Sequence, residues 1–351
     1  MKHAHGRTVL VTGATGFVGG ALVPALLARG ERVRATARRG AAARDGGVEW
    51  VEADLARPAD LPRALEGVDA AYFLVHGMAS GHDDYAEEER RAAAAFSRAA
   101  DVAGVERIVY LGGVAPRGRP SRHLASRLAV GEVLRSGRVP CLELRASMIV
   151  GAGSASWQVV RDLALRLPAM LLPAWAESRT SPVAIEDVVR ALAAALDVPL
   201  AGSACYDLPG GDVLAIREIL EHVAALRGRA LPAVRAPLPI PRVSTLWLKL
   251  VSDADWRVVR ELVLGLSHDL LPRDGRYWTI AGLPPPLGFD EAARRALAGD
   301  RRPGGLRGAV TAVEEAIVAR YAPRLRDGRG SREPGRRPAA PPGPAVPPRG
   351  R

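Results

Sequence analysis

Short apolar runs alternate along the first half of the chain with longer segments whose apolar positions recur at helical spacing. The runs lie at 8–11, 32–37, 48–52, 69–75, 107–111 and 141–146, and they are rich in β-branched residues. Runs of this kind, without a regular polar partner, suit strands covered on both faces of a parallel sheet. Between them, Ala21, Leu22, Leu26 and Leu27, then 60–66, then Ala92, Ala93, Phe96, Ala99 and Ala100, then 121–135, read as helices. This order predicts an α/β fold built on a doubly wound parallel sheet. Pro24 falls inside the first helix, where a missing N–H predicts a kink.

Beyond Val150 the rhythm loosens. A turn is expected at 151–154, a helix at 157–167 and an irregular proline-containing stretch at 168–182. Pattern returns where 182–185 leads into a helix at 187–196, followed by a strand at 205–208 and a helix at 216–227. The prolines of 231–241 exclude helix, and helical patches follow at 243–251, 255–266, 290–298 and 309–321. From about Gly328 onward Pro, Gly, Ala and Arg dominate, which predicts a disordered tail. The division that follows is a dinucleotide-binding domain over 1–155, a smaller, mostly helical C-terminal lobe over 156–322, and a tail over 323–351. Residues 182–208 of the lobe return to the core.

The first strand runs directly into Gly13-Ala14-Thr15-Gly16-Phe17-Val18-Gly19 and then a helix. At this spacing the first glycine allows the tight turn, the second lets backbone amides approach a pyrophosphate, and the third lets helix and strand pack closely. The helix N-terminus adds unpaired N–H groups and the positive end of its dipole. A Rossmann-type cofactor site is therefore expected over Gly13, Thr15, Gly16, Phe17, Val18 and Gly19. About twenty residues on, where an acidic residue would hold a ribose 2′-hydroxyl, the chain has Arg38 and Arg39. Guanidinium groups there suit a 2′-phosphate, so NADP is expected ahead of NAD.

Charge changes this picture little. The net +11 would suggest a nucleic-acid or membrane partner, but eight Arg against Asp327 and Glu333 put +6 of it in residues 324–351. No nucleic-acid partner is expected. The most apolar stretch, 163–175, is broken by Arg166, Pro168 and Pro173, so no transmembrane segment is expected. Cys141 and Cys205 fit neither a C-x-x-C nor a metal spacing and are expected as buried thiols in a reducing cytoplasm. The acidic cluster Asp83, Asp84, Glu87, Glu88, Glu89 reads as the solvated first turns of a helix, and no metal site is expected.

The fingerprint, together with Ala53-Asp54-Leu55, the strand Ala71 to Met78, the helix segment Ser121 to Arg127, Arg145 to Gly151, Pro182 to Val188 and Tyr206 to Gly211, resembles the atypical short-chain dehydrogenase/reductase superfamily. Within it the chain is most similar to the NmrA-like NAD(P)H-binding proteins, related to the nucleotide-binding accessory subunit of respiratory complex I. The likeness runs over residues 7–298. It implies that Asp54 and Leu55 lie near the adenine, that Leu74, Val75 and His76 lie along the cofactor, and that Arg127 stands where the family's lysine holds the ribose.

The departures from the family bear on chemistry. Short-chain dehydrogenases reduce carbonyls with a Tyr-x-x-x-Lys pair and a serine. Here Lys2 and Lys249 are the only lysines, the helix reads His123-x-x-x-Arg127, and Gly112-Gly113 replaces the serine. Arginine does not titrate at neutral pH. Imidazole does, so His123 is the candidate acid, with His76 as a binding residue at a strand end. Two functions follow: a reductase acting on a small quinone or enone, or a non-catalytic NAD(P)-binding sensor or assembly factor with a protein partner.

Overall fold

A computed structural model describes residues 6–39, 47–75, 85–167, 170–172, 174–231, 233–235 and 268–300. Its central element is a seven-stranded sheet in the order β11-β6-β5-β4-β1-β2-β3, with every neighbouring pair parallel. The strands are β1 (Thr8–Val11), β2 (Arg32–Ala37), β3 (Glu49–Glu52), β4 (Ala70–Phe73), β5 (Arg107–Gly113), β6 (Cys141–Ala146) and β11 (Ala204–Asp207). The chain winds outward from β1 to β3, returns to β4 beside β1, and continues the other way. The switch point of the sheet is thus the crevice between the C-terminal ends of β1 and β4, where ligands lie in doubly wound folds.

Period-two alternation divides each strand between two cores. Val9 and Val11 face one side with Tyr72, Val109, Leu142 and Leu144, under α1 (Phe17–Ala28) and α6 (Ile185–Ala194). Leu10 faces the other with Ala71, Phe73, Ile108, Tyr110 and Cys141, under α2 (Leu61–Leu65), α3 (Tyr85–Val102) and α4 (Arg122–Arg135). Burial on both faces is the reason these runs lack polar alternation. α1 carries Pro24 without a break. Gly20, whose carbonyl the proline deprives of its helical donor, is exposed, so that carbonyl is open to solvent.

A third apolar cluster belongs to the C-terminal lobe and joins α5 (Ala155–Arg166), α7 (Ile216–Ala225) and α9 (Phe289–Gly299) around Trp157, Leu163, Leu220 and Phe289. α5 starts two residues earlier than the apolar spacing suggests because Ser154 caps it. Two elements escape the sequence pattern. β7 (Met148–Val150) follows β6 at once and pairs in parallel with β10 (Pro182–Ala184), outside the main sheet. α8 (Arg276–Ile280) inserts Tyr277 and Trp278 into the α1/α6 core, with Tyr277 donating to Ala191 O at 2.9 Å. The stretch 168–182 includes β8 (Met170–Leu172) and β9 (Arg179–Thr180); β8 pairs with β13 (Ala233–Arg235) and β9 with β12 (Leu214–Ala215). The remainder of 236–267, the helix expected at 309–321 and the tail lie outside the described residues.

Candidate functional site

Thr12 ties the ends of β1 and β4 together: its N–H and hydroxyl both donate to Tyr72 O, at 3.0 and 2.9 Å, and its hydroxyl accepts from Leu74 N at 3.1 Å. Gly13 follows with φ +69°, and a Cβ there would lie 2.9 Å from Leu74 O, so the turn admits only glycine on both counts. A Cβ on Gly19 would lie 2.8 Å from Ala14 Cα and closer still to Gly13 O, so this glycine lets α1 pack on the turn. Gly16 differs. Its backbone is extended (φ −82°, ψ 175°), and among the described residues the only atom near a built Cβ is Gly13 O at 3.2 Å. Two glycines of the fingerprint are thus required by the protein's own packing, and the middle one borders open space.

Gly16 also caps α1 without a side-chain partner, and no acidic residue stands in the first turn. The first helical bond runs from Gly20 N to Gly16 O at 2.8 Å, so the amides of Phe17, Val18 and Gly19 have no partner within the helix. No acidic side chain of its own first turn neutralises the positive end of the helix dipole at the switch point. An exposed, bare Cα beside amides that the helix leaves without an internal partner fits the phosphates of a dinucleotide, and the donors suit an anion. Thr15 is exposed beside it, while Val18 is half-buried against the α1/α6 core.

Around this turn the structure brings together most of the residues that the sequence singles out. Arg38 and Arg39 are exposed just past the end of β2. Asp54 is half-buried after β3; one carboxylate oxygen accepts from Ala56 N at 3.1 Å, and its own N–H donates to Asp60 Oδ2 at 2.9 Å. The Leu55 side chain is buried in the α2/α3 core, so its approach to a ligand is through main chain alone. Leu74 is half-buried and Val75 exposed at the end of β4. His76 lies outside the described residues.

The second group of residues lies at the end of β5. His123 is buried in the first turn of α4, which Ser121 caps by accepting from Leu124 N at 3.3 Å. Arg127 does not extend freely from the helix. Its guanidinium donates to Leu111 O and lies over the Tyr110 ring, 5.6 Å from the centroid, while Tyr110 donates back to Arg127 O at 3.0 Å. Burial pushes the Tyr110 phenol up to about 12, so it remains a protonated donor. Gly113 gives α4 its close approach, since a Cβ there would lie 3.1 Å from Leu124 Cδ2.

Gly112 has a different reason, which the sequence did not reveal. A Cβ there would lie 2.6 Å from Glu143 Oε1, and one on Gly131 of α4 would lie 2.6 Å from Glu143 Cδ. The fully buried Glu143 carboxylate fills that space and accepts from Arg135 Nε at 2.7 Å and Arg145 Nε at 2.8 Å. Burial opposes the Arg145 charge, but the hydrogen bond and attraction to Glu143 outweigh it and raise its pKa. Arg145 is therefore held in a salt bridge and not extended toward a phosphate or substrate. The available signal was one Glu and one Arg, two residues apart, in an otherwise apolar strand. In the acidic cluster, Glu87 pairs with Arg90 and Arg91 as a solvated helix turn would, whereas Glu89 accepts from the buried Ser126 hydroxyl. Among the described residues, no group of His, Cys, Asp and Glu is arranged to hold a metal. No described helix is long and apolar enough to cross a membrane.

The comparisons agree with this geometry. A family described as NAD(P)H-binding matches residues 13–149. The chain is 30% identical over 293 residues to a ceramide reductase of Caulobacter vibrioides, covering 79% of this chain and 87% of that protein. It is 39% identical over 127 residues to sterol demethylase protein B of Methylococcus capsulatus, a match covering 33% of this chain and 39% of that one. Among solved structures, gox2253 superposes with a TM-score of 0.63 at 23% identity, covering 83% of this chain and 97% of that one. MoeE5 in complex with UDP-glucuronic acid and NAD superposes with 0.62 at 20% identity, covering 83% and 98%. At these identities the two structures speak for the fold.

Proposed function

Because the chain belongs to the atypical short-chain dehydrogenase/reductase superfamily of NAD(P)H-binding proteins, we propose that it is a reductase that delivers a hydride to a carbonyl or conjugated enone. The observation that carries this reading is the seat at Gly16, a bare, exposed Cα on the sheet's switch point, at a helix N-terminus with no acidic residue in its first turn. Residues 13–19 would hold the pyrophosphate through main-chain amides, Asp54 the adenosine side, and Leu74 and Val75 would line the path toward the nicotinamide. The cofactor supplies the hydride when bound. Arg38 and Arg39 would receive a 2′-phosphate, which makes NADPH the preferred form. In this reading residues 1–155 bind the cofactor and the helical lobe over 156–322 takes the substrate. Free thiols at Cys141 and Cys205 support a cytoplasmic setting.

The proton falls to His123, since no Tyr/Lys pair is present. Reduction of a ketone leaves an oxyanion, and a protonated imidazole in the first turn of α4 would neutralise it. The likeness to a ceramide reductase makes a ketone-bearing lipid of the ceramide type the first substrate to test, ahead of simple quinones and enones. A second reading is favoured by Arg127: with its guanidinium engaged on Leu111 O, the position that would hold a ribose is partly spent on the protein itself. That suits a sensor of the NmrA-like and complex I accessory kind, which binds the cofactor and transmits its redox state to a protein partner.

Loss of reduced-nicotinamide absorbance with a panel of ketolipids, quinones and enones separates the two. The reductase predicts turnover with this panel, and His123→Phe should lower it by roughly 10²- to 10⁴-fold with little change in NADPH affinity. No turnover above that of free NADPH across the panel would refute the enzyme and leave the sensor.

A further inference from the structure

Phe17 is the first residue of α1, directly after the glycine that borders the phosphate seat. Its ring reaches the turn between β7 and α5. A Cβ on Gly151 would lie 2.9 Å from Phe17 Cζ and 2.9 Å from Ile185 Cβ. At Gly153, where φ is +91°, a Cβ would lie 3.6 Å from Phe17 Cδ2. The edge of the ring therefore rests against the backbone of the turn 151–153, beside the first residue of α6.

That turn is the way into the helical lobe. Ser154 N donates to Gly151 O at 3.0 Å, the Ser154 hydroxyl donates to Ile149 O at 2.7 Å, and the same hydroxyl caps α5. α5 in turn places Trp157, Val160 and Leu163 in the lobe's core. Three elements thus meet at one aromatic side chain: the cofactor turn, the entry to α5, and the start of α6. At Gly151 the ring shares the contact with the Ile185 side chain, whose Cγ2 would lie 2.6 Å from a Cβ there, and close-packed contacts of this kind pass displacements on.

We propose that Phe17 is a positioning residue that couples occupancy of the glycine turn to the placement of α5, so that the cofactor binds first and sets the lobe for its substrate. The proposal rests on the reading of the glycine turn as the NAD(P)H site. A ligand shifts such an equilibrium only through contacts that differ between the two states. Here the difference arises because a pyrophosphate held by the amides of 17–19 fixes the Phe17 main chain and, with two side-chain torsions, the ring. Reciprocity requires that a set lobe also tighten the cofactor.

Hydrogen exchange on the full-length protein, with and without NADPH, tests this. In the native protein NADPH should slow exchange at 13–20 and also at 151–160, the latter by about tenfold, a typical size of coupling between sites. Phe17→Ala should bind NADPH up to about tenfold more weakly, as reciprocity requires, and at saturating NADPH still slow 13–20, yet leave 151–160 unresponsive. Phe17→Leu, which keeps bulk without the ring, should do the same and serves if the alanine variant does not fold. A merely structural role would speed exchange at 151–160 with and without cofactor while preserving the NADPH-dependent slowing, and that result would overturn the proposal. Slowing confined to 13–20 in the native protein would overturn it as well. Failure of the native protein to bind NADPH or NADH at all would reject the cofactor reading itself, and the coupling with it.

Discussion

Gly16 and Gly19 stand three residues apart in one motif, yet substituting them should produce opposite phenotypes. A Cβ at position 19 would press on Gly13 O and lie 2.8 Å from Ala14 Cα, both of them backbone atoms. Relief requires moving α1 or the turn, which costs about 1–3 kcal/mol as overpacking. At roughly 2–4 °C per kcal/mol for a domain of this order of size, Gly19→Ala should melt measurably lower with or without cofactor. At position 16 the extended backbone accepts any residue, and Gly13 O at 3.2 Å needs to give only slightly. Gly16→Val should lose about 1 kcal/mol or less, the difference between glycine and a poor helix cap. Its isopropyl group, however, would fill the phosphate seat. Losing two charge-assisted amide bonds, at about 1.5–3 kcal/mol each, removes about 3–6 kcal/mol, or roughly 10²- to 10⁴-fold in affinity. Calorimetry with NADPH and NADH, paired with thermal melting, reads both quantities. A Gly16→Val protein that melts normally and binds NADPH within tenfold of the native affinity would refute the placement of the phosphates at Gly16.

Other outcomes follow from individual contacts. Arg38→Ala should weaken NADPH by roughly ten- to hundredfold, the worth of a charge-assisted contact, and NADH little; equal losses in calorimetry would exclude the 2′-phosphate contact. Glu143→Ala should destabilise by about 3 kcal/mol in urea titration, because Arg145 and Arg135 lose a fully buried partner; a loss below about 1 kcal/mol would show that the site relaxes to solvate them. The folded Tyr110 phenol titrates at about 12 against 10.0 when unfolded, so the stability it lends is intact below pH 10 and lost as pH rises from 10 to 12. Tyr110→Phe should flatten that decline in alkaline melts. Burial pushes the Cys205 thiol up to about 12 and raises Cys141 further in the same direction, so neither should react with a thiol reagent at pH 8 until the protein is unfolded.

Local chemistry accounts for what could be read along the chain. Strand β1, its glycine turn and α1 are contiguous, and each residue's task there is set within a few positions, so fingerprint and helix start are legible from residues 8–20. The same holds for the seven main strands, whose apolar runs mark burial on both faces. Partner choice over long separations is another matter. Tyr72 donates to Leu192 O across 120 positions at 2.7 Å, and no local pattern ties the two. Gly112 reads as a missing serine until Glu143 is found in the space above it, and no local pattern announces the contact of the Arg127 guanidinium with Leu111 O. β7 with β10 and the buried aromatics of α8 escape notice because three to five residues are too few to show a period. The amino-acid sequence by itself determined the elements and the glycine turn, since these depend on neighbours along the chain. The tertiary structure decided which charges are spent on the protein and which groups stay exposed, since these depend on neighbours that only folding brings together.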